Sequence, residues 1–173
     1  MRKLVEVLLN RLGLLAYIQL RRRSPLGARG WFKTIRNGRS EDLDGSPLPW
    51  FSYSAIDFLG PRIAPTASVF EYGAGNGTLW WAARVHRVVS VEHAVDWYNR
   101  LLLVVPANAT LVCAGPAAGE DTVQPPCAPG ERFDLIVIDG RTRVEGPPAA
   151  APTPNPHRLL TLDPKNEQAK WLK

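Results

Sequence analysis

The stretch Ser68-Val-Phe-Glu-Tyr-Gly-Ala-Gly-Asn-Gly-Thr78 decides the fold of this chain. It begins as a short apolar run that contains one acidic residue, and it then opens into three alternating glycines. Glycines at 73, 75 and 77 allow a tight turn after a strand and a close approach of the backbone to a ligand. Because the residues that follow favour a helix, the stretch predicts a strand, loop and helix that bind a nucleotide-type cofactor.

Short apolar runs alternate with helix-length segments downstream of this loop, as in a parallel sheet with crossover helices. The clearest strand is Phe133-Asp-Leu-Ile-Val-Ile-Asp139, whose apolar centre suits a sheet buried on both faces. We therefore expect an α/β fold with a Rossmann-like, doubly wound, mostly parallel sheet and flanking helices. The predicted strands lie at 68–72, 87–92, 109–114, 133–139 and 158–163, and the predicted helices at 77–86 and 94–104.

The 173 residues, 45% of them hydrophobic, suffice for one globular domain with a core. The charge is uneven, since residues 1–40 hold ten Lys or Arg against a single acidic residue, Glu6. Leucines recur in this arm at helical spacing, and Gly and Pro are frequent from residue 24 onwards. We expect residues 1–45 to form a basic N-terminal helix with a connecting loop, and residues 46–173 to form the cofactor-binding domain.

The basic arm has two open interpretations, a solvated helix or a contact with a polyanion such as nucleic acid or an anionic membrane surface. Its longest clean apolar run, Leu12 to Ile18, is too short to span a bilayer. No secretory signal is clear in the sequence. We expect a cytoplasmic protein, with peripheral membrane association through the arm as one option.

The two cysteines, Cys113 and Cys127, lack the spacing of metal ligands and are too few for a disulfide framework. The three histidines form no metal-binding cluster in the sequence either. Cys113 lies inside an apolar run, so we expect a buried packing residue.

Acidic residues at the predicted strand ends are the candidates for chemistry, because ligands of open α/β sheets bind beyond the carboxyl ends of the strands. Glu92 lies 19 residues past Gly73, close to the offset of roughly 20 at which a carboxylate accepts hydrogen bonds from ribose hydroxyls. The G-x-G-x-G spacing differs from the G-x-G-x-x-G of dinucleotide folds. Glu71 is also better suited to a cationic amino-acid moiety than to a pyrophosphate.

The block Val69–Thr78 resembles the first motif of class I S-adenosylmethionine-dependent methyltransferases, with Glu92 matching their ribose-binding acidic residue. The stretch Phe133–Arg141 looks like their fourth-strand motif. The resemblance implies S-adenosylmethionine as cofactor and an unidentified methyl acceptor, with Asp139 beside the donor sulfur as the candidate catalytic base. Carried over by position, the residues at the methionine, ribose and adenine portions are Glu71, Gly73, Ala74, Gly75, Asn76, Gly77, Glu92 and His93.

Two features depart from the family pattern. Class I methyltransferases usually continue for two strands after the fifth, whereas this chain ends ten residues past Asp163. We therefore expect the last strands to be missing and the sheet edge to be covered by the arm, a partner or an oligomer. Pro164 stands where metal-dependent catechol-type members have Asn, so no divalent-metal site is expected.

Two other functions stay open at this point. One is a non-catalytic binding or scaffold protein built on a degenerate methyltransferase fold, which the missing strands favour. The other is an NAD(P)-dependent oxidoreductase, which the glycine loop alone favours.

Overall fold

The computed structural model describes residues 7, 9–114 and 131–138, together with the backbone of three further strands at 153–154, 159–163 and 166–172. The chain divides into two compact units, an N-terminal unit, Met1–Leu48, and a C-terminal unit, Pro49–Lys173.

From residue 14 onward, the N-terminal unit forms three short helices, α1 (Leu14–Arg23), α2 (Pro25–Ala28) and α3 (Trp31–Asn37). Ser24 caps α2 by accepting a hydrogen bond from the Gly27 N–H at 3.4 Å. No helix in the described part of the chain is long and apolar enough to cross a membrane.

The connecting loop predicted from residue 24 is therefore wrong for α2 and α3. The glycines and proline that indicated a loop are helix boundaries instead. Pro25 occupies the first turn of α2, and Gly30 and Gly38 flank α3 with φ values of 78° and 66°. Proline at a helix start and glycine in the left-handed region at a helix end are both favoured.

The first helix of the C-terminal unit is α4 (Tyr53–Leu59). Ser52 caps it by accepting a hydrogen bond from the Ala55 N–H at 3.3 Å. The helix buries Ile56 and Leu59, and a 3-10 turn, Gly60–Arg62, ends it.

The central sheet contains four parallel strands, β1 (Ser68–Tyr72), β2 (Arg87–Glu92), β3 (Ala109–Cys113) and β5 (Leu135–Ile138), in the order β3-β2-β1-β5. This mostly parallel sheet with flanking helices confirms the predicted Rossmann-like α/β fold. The helices α5 (Asn76–Ala82) and α6 (Val95–Leu102) connect the first three strands.

The predicted strand at 133–139 is interrupted near its start. A short strand, β4 (Arg132–Phe133), precedes β5 and pairs in parallel with β6 (Thr153–Pro154). Asp134 lies between them, and its Oδ2 accepts hydrogen bonds from the N–H and hydroxyl of Ser68 at 2.9 and 3.0 Å. This carboxylate anchors the entry of β5 to the first residue of β1.

The core lies on both faces of the sheet. One buried cluster contains Phe70, Val89, Val91, Phe133 and Ile136, and a second contains Ala74, Leu101 and Leu111. Burial of apolar area on this scale is the main stabilising term for a domain.

Cys113 is exposed, so the expectation of a buried packing residue is wrong. It shares a strand face with Leu111, which is buried. Cys113 is the last residue of β3, which is an edge strand of the four-stranded central sheet.

The predicted strand at 158–163 is present as β7 (Leu159–Asp163), whose Cα atoms approach those of β5 within 8 Å. A further strand, β8 (Asn166–Leu172), pairs antiparallel with β7. The expectation that every strand after the fifth is missing is corrected by β8. Its residues are mostly polar and lack β-branched side chains, so the sequence carries no strand signal there.

Candidate functional site

The glycine loop leaves the sheet at the carboxyl end of β1. Gly73 has φ +89°, a left-handed conformation that favours glycine, and its N–H donates to the Val91 carbonyl at 2.8 Å. The chain runs from β1 to β2 and β3 on one side, and β5 pairs with β1 on the other side. The loop therefore lies where the strand order reverses, the position at which open α/β sheets bind ligands.

Glu92 joins this loop to the start of the next helix. Its Oε2 accepts a hydrogen bond from the Ala74 N–H at 3.1 Å, and its Oε1 accepts one from the Ala94 N–H at 2.8 Å. His93, whose side chain is 54% exposed, places Nδ1 at 3.1 Å from the same Oε1. A carboxylate offers about four lone-pair sites, so Oε2 keeps acceptor capacity for a further donor.

Trp97 holds the loop from the opposite direction. Its Nε1 donates to the Ala74 carbonyl at 2.7 Å, so both backbone groups of Ala74 are hydrogen-bonded to side chains. A tryptophan on an amphipathic helix usually indicates core packing, and the sequence offered no signal for this role. Together Glu92 and Trp97 fix the middle of the loop in one conformation.

Glu71 lies beneath the loop and is only 1% exposed. Its Oε2 accepts hydrogen bonds from the hydroxyls of Thr78 at 2.5 Å and Ser90 at 2.8 Å. The Thr78 hydroxyl in turn accepts the Gly75 N–H at 3.0 Å. The resemblance placed Glu71 at the cationic end of the ligand, whereas in the structure its carboxylate supports the loop from below.

Thr78 and Ser90 were not among the predicted site residues. The signal that could have found Ser90 is a lone hydroxyl in the buried run Val88-Val89-Ser90-Val91, because a buried polar group requires a partner. Glu71, which lies opposite Ser90 in the register of β1 and β2, is the acidic residue that meets this requirement.

Gly77 is required by packing in the protein. A Cβ at this position would lie 2.6 Å from Glu71 Oε1 and 3.7 Å from Pro49 Cβ. At Gly75, in contrast, a Cβ would meet only Trp97 Nε1 at 3.9 Å, which is ordinary contact. Thus Gly73 makes the turn, Gly75 leaves the loop surface without a side chain, and Gly77 lets α5 approach β1.

The structure brings most predicted site residues to one end of β1 and β2. Asn76 begins α5 directly after the loop, and it is half-buried. Asp139 follows β5 in sequence, but it lies outside the described residues. Within the described ranges, no group of three His, Cys, Asp or Glu side chains could hold a metal ion.

Comparisons with known protein families and with curated proteins find no match for this chain. The glycine loop and the side chains at the strand ends are therefore the features that indicate a function.

Proposed function

We propose that the chain is an S-adenosylmethionine-dependent methyltransferase acting on an unidentified acceptor. The observation that carries the proposal is the position of the glycine loop, at the switch point of the sheet and hydrogen-bonded to Glu92 on the neighbouring strand. A loop without side chains beside an acidic strand end suits an adenosyl ligand.

The residues at the strand ends fit the adenosyl group. Ribose hydroxyls are donors, and Glu92 Oε2 has remaining acceptor capacity at the loop. The exposed ring of His93 lies next to this carboxylate, and we assign it to the adenine edge of the ligand. Gly73 and Gly75 let the backbone approach the methionine portion.

Three buried or half-buried side chains keep the loop in place before a ligand arrives. Glu92 holds the Ala74 N–H, Trp97 holds the Ala74 carbonyl, and Thr78 holds the Gly75 N–H. A site whose first contacts are fixed by surrounding hydrogen bonds loses less entropy on binding. Glu71 contributes through Thr78, as a positioning residue.

S-adenosylmethionine supplies a methyl group already activated on a sulfonium sulfur. The protein then has two tasks, to align the acceptor with the methyl group and to accept a proton where the acceptor is protonated. Asp139 is our candidate for the proton acceptor, since it directly follows β5 beside β1 in the sheet order.

Isothermal titration calorimetry of the full chain with S-adenosylmethionine, S-adenosylhomocysteine and NADH tests the proposal. We expect both adenosyl sulfur compounds to bind and NADH to bind at least tenfold more weakly. Preferential binding of NADH, or no binding by folded protein, would refute the methyltransferase assignment. Transfer of labelled methyl groups to fractionated protein, RNA and small-molecule pools then identifies the acceptor class.

The Glu92→Gln variant connects binding to the described geometry. A glutamine amide presents an NH₂ group to either the Ala74 or the Ala94 N–H, so one donor loses its acceptor. We expect roughly 10- to 100-fold weaker binding of S-adenosylhomocysteine, as for loss of a charged hydrogen bond. Asp96→Asn, an exposed carboxylate in the first turn of α6, is the matched control and should bind as the unaltered chain does.

A further inference from the structure

Helix α1 of the N-terminal unit leaves several large apolar side chains exposed to solvent. No residue of α1 is buried. Leu14, Tyr17 and Leu20 are 45%, 46% and 42% exposed, whereas Leu15 and Ile18 are half-buried. At about 100° per residue, the three exposed positions fill roughly one third of the helix circumference, and the half-buried Ile18 and Leu15 follow next to Leu14 at one edge of this arc.

Helix α3 adds a second exposed apolar strip to the same unit. Trp31 and Ile35 lie one helical turn apart and are 36% and 61% exposed. The rings of Tyr17 and Phe32 meet edge to face at 5.4 Å, so α1 and α3 are in direct contact. Leu12, in the turn before α1, is exposed as well. We call this set of exposed side chains the apolar docking surface, and its members are Leu12, Leu14, Tyr17, Leu20, Trp31 and Ile35.

The same segment is strongly cationic. Residues 7–40 contain eight Lys or Arg and no Asp or Glu. Three consecutive arginines, Arg21, Arg22 and Arg23, form the last turn of α1, and all are exposed. By its helical position Arg21 lies within the arc of Leu14, Tyr17 and Leu20.

We propose that the apolar docking surface binds the surface of an anionic phospholipid bilayer. An interfacial helix of this type combines exposed leucine and aromatic side chains with Lys and Arg, so that the apolar groups enter the headgroup region and the cations attract lipid phosphates. Trp and Tyr are favoured at this depth because one end of the ring is apolar and the other is polar.

Two other occupants fit the observations less well. Nucleic acid would neutralise the arginines, but its phosphate backbone offers no apolar contact to leucines in helix α1. A second copy of the chain would cover the leucines, yet it would bring two segments of eight cations together. Anionic lipid satisfies both the charge and the apolar area.

Flotation of the full chain with lipid vesicles tests this proposal. We expect binding to phosphatidylcholine vesicles that contain phosphatidylserine, little binding to phosphatidylcholine alone, and weaker binding as salt is raised. Equal binding to both vesicle types, or to neither, would overturn it. Far-ultraviolet circular dichroism of every variant checks that the helices are retained.

Two pairs of variants separate the apolar and the charge contributions. A double variant, Leu14→Gln with Leu20→Gln, should weaken vesicle binding roughly tenfold. Its matched control, Leu102→Gln with Leu103→Gln, changes two exposed leucines of the C-terminal unit and should leave vesicle binding unchanged. Arg21→Gln with Arg23→Gln should weaken it roughly fivefold per cation. The matched control, Arg100→Gln with Arg132→Gln, removes two exposed arginines elsewhere and should leave binding unchanged.

The competing occupants are resolved by two measurements on the same proteins. Nucleic acid would be the occupant if the unaltered chain did not bind vesicles but bound a single-stranded RNA oligonucleotide tightly, and if the Leu14/Leu20 variant bound this RNA equally well. If the unaltered chain sedimented as a dimer that the leucine variant dissociated, and vesicles were not bound, a second copy would be the occupant. Either result contradicts the lipid proposal.

Discussion

The two units of the chain differ in where their apolar side chains lie. In the C-terminal unit the central strands bury Val69, Phe70, Val88 and Val137 to the point of no measurable exposure. In the N-terminal unit Leu48 is the one large apolar side chain that is buried among the described residues, and α1 buries none. Stability therefore comes from the sheet around the glycine loop, whereas the N-terminal helices depend on local hydrogen bonds and expose the surface that we assign to lipid.

The largest expected effect tests this difference in burial directly. Phe70→Ala removes a ring that is 0% exposed in the main core cluster, and it should lower the free energy of unfolding by about 3–5 kcal/mol. Leu20→Ala, on a side chain that is 42% exposed in α1, should change it by less than about 0.5 kcal/mol. Urea denaturation followed by circular dichroism measures both.

Comparable losses of unfolding free energy in Phe70→Ala and Leu20→Ala would contradict the difference in burial between the two units. A large loss for Leu20→Ala with a small one for Phe70→Ala would invert it, and would mean that α1 contributes to the core.

The strands of the sheet could be predicted closely because each sequence combines an apolar run with a clear end point. The bounds of β1 and β2 match the predicted 68–72 and 87–92, since each is a buried apolar run that ends in a loop or an acidic residue. The short helices α2 and α3 could not be predicted from composition. Their boundary residues, Pro25, Gly30 and Gly38, also occur in loops, and tertiary contacts decide between the two.

The second prediction addresses the polar network under the loop. Thr78→Val keeps the side-chain shape but removes the hydroxyl that donates to Glu71 and accepts the Gly75 N–H. Because buried polar groups then lose their partner, we expect a loss of about 2–3 kcal/mol in unfolding free energy. Thr110→Val, at an exposed position of β3, is the control and should change it by less than about 0.5 kcal/mol.

A loss at Thr78 no larger than that at Thr110 would mean that water replaces the hydroxyl and that the network does not support the loop. Weaker S-adenosylhomocysteine binding with unchanged stability would instead place Thr78 at the ligand.

Sequence patterns could locate the candidate site but not its hydrogen bonds. The loop after Gly73 and the Glu92 carboxylate lie beside each other because adjacent parallel strands end at the same sheet edge, whereas the ribose contact that their spacing indicates stays a prediction. The roles of Trp97 and Thr78 depend on side-chain directions in three dimensions, which residue types do not encode. The burial of Glu71 likewise follows from the close approach of α5 to β1, which Gly77 permits.

The third prediction concerns this close approach. Gly77→Ala places a Cβ at 2.6 Å from Glu71 Oε1, and the hydrogen bonds of Glu71 to Thr78 and Ser90 oppose its movement. Overpacking exceeds the gain in helix propensity, so we expect a loss of about 1–2 kcal/mol in unfolding free energy. Gly60→Ala, where the nearest atom to the new Cβ is Trp80 Cζ2 at 3.8 Å, should be neutral or stabilising.

If both alanine variants had the same stability, Gly77 would not be needed for packing, and its place in the loop would require a ligand-based explanation.

The smallest effect lies in the exposed turn of the N-terminal unit, where Asp44 accepts hydrogen bonds from Ser46. The Ser46 N–H at 2.8 Å, then its hydroxyl at 2.9 Å, lowers the pKa of Asp44 below the ordinary value of 3.8. Since the pKa of Asp44 is lower in the folded than in the unfolded chain, its carboxylate stabilises the fold at any pH above the unfolded pKa, and this contribution is lost as the pH falls through the folded pKa.

Carboxyl NMR titration should show a pKa of Asp44 below the ordinary value, and Ser46→Ala should raise this pKa only partway, because the backbone N–H still donates. Ser54→Ala in the C-terminal unit should not move it. A pKa of Asp44 that Ser46→Ala leaves unchanged would contradict the local origin of this effect, and with it the view that side-chain hydrogen bonds rather than burial organise this unit.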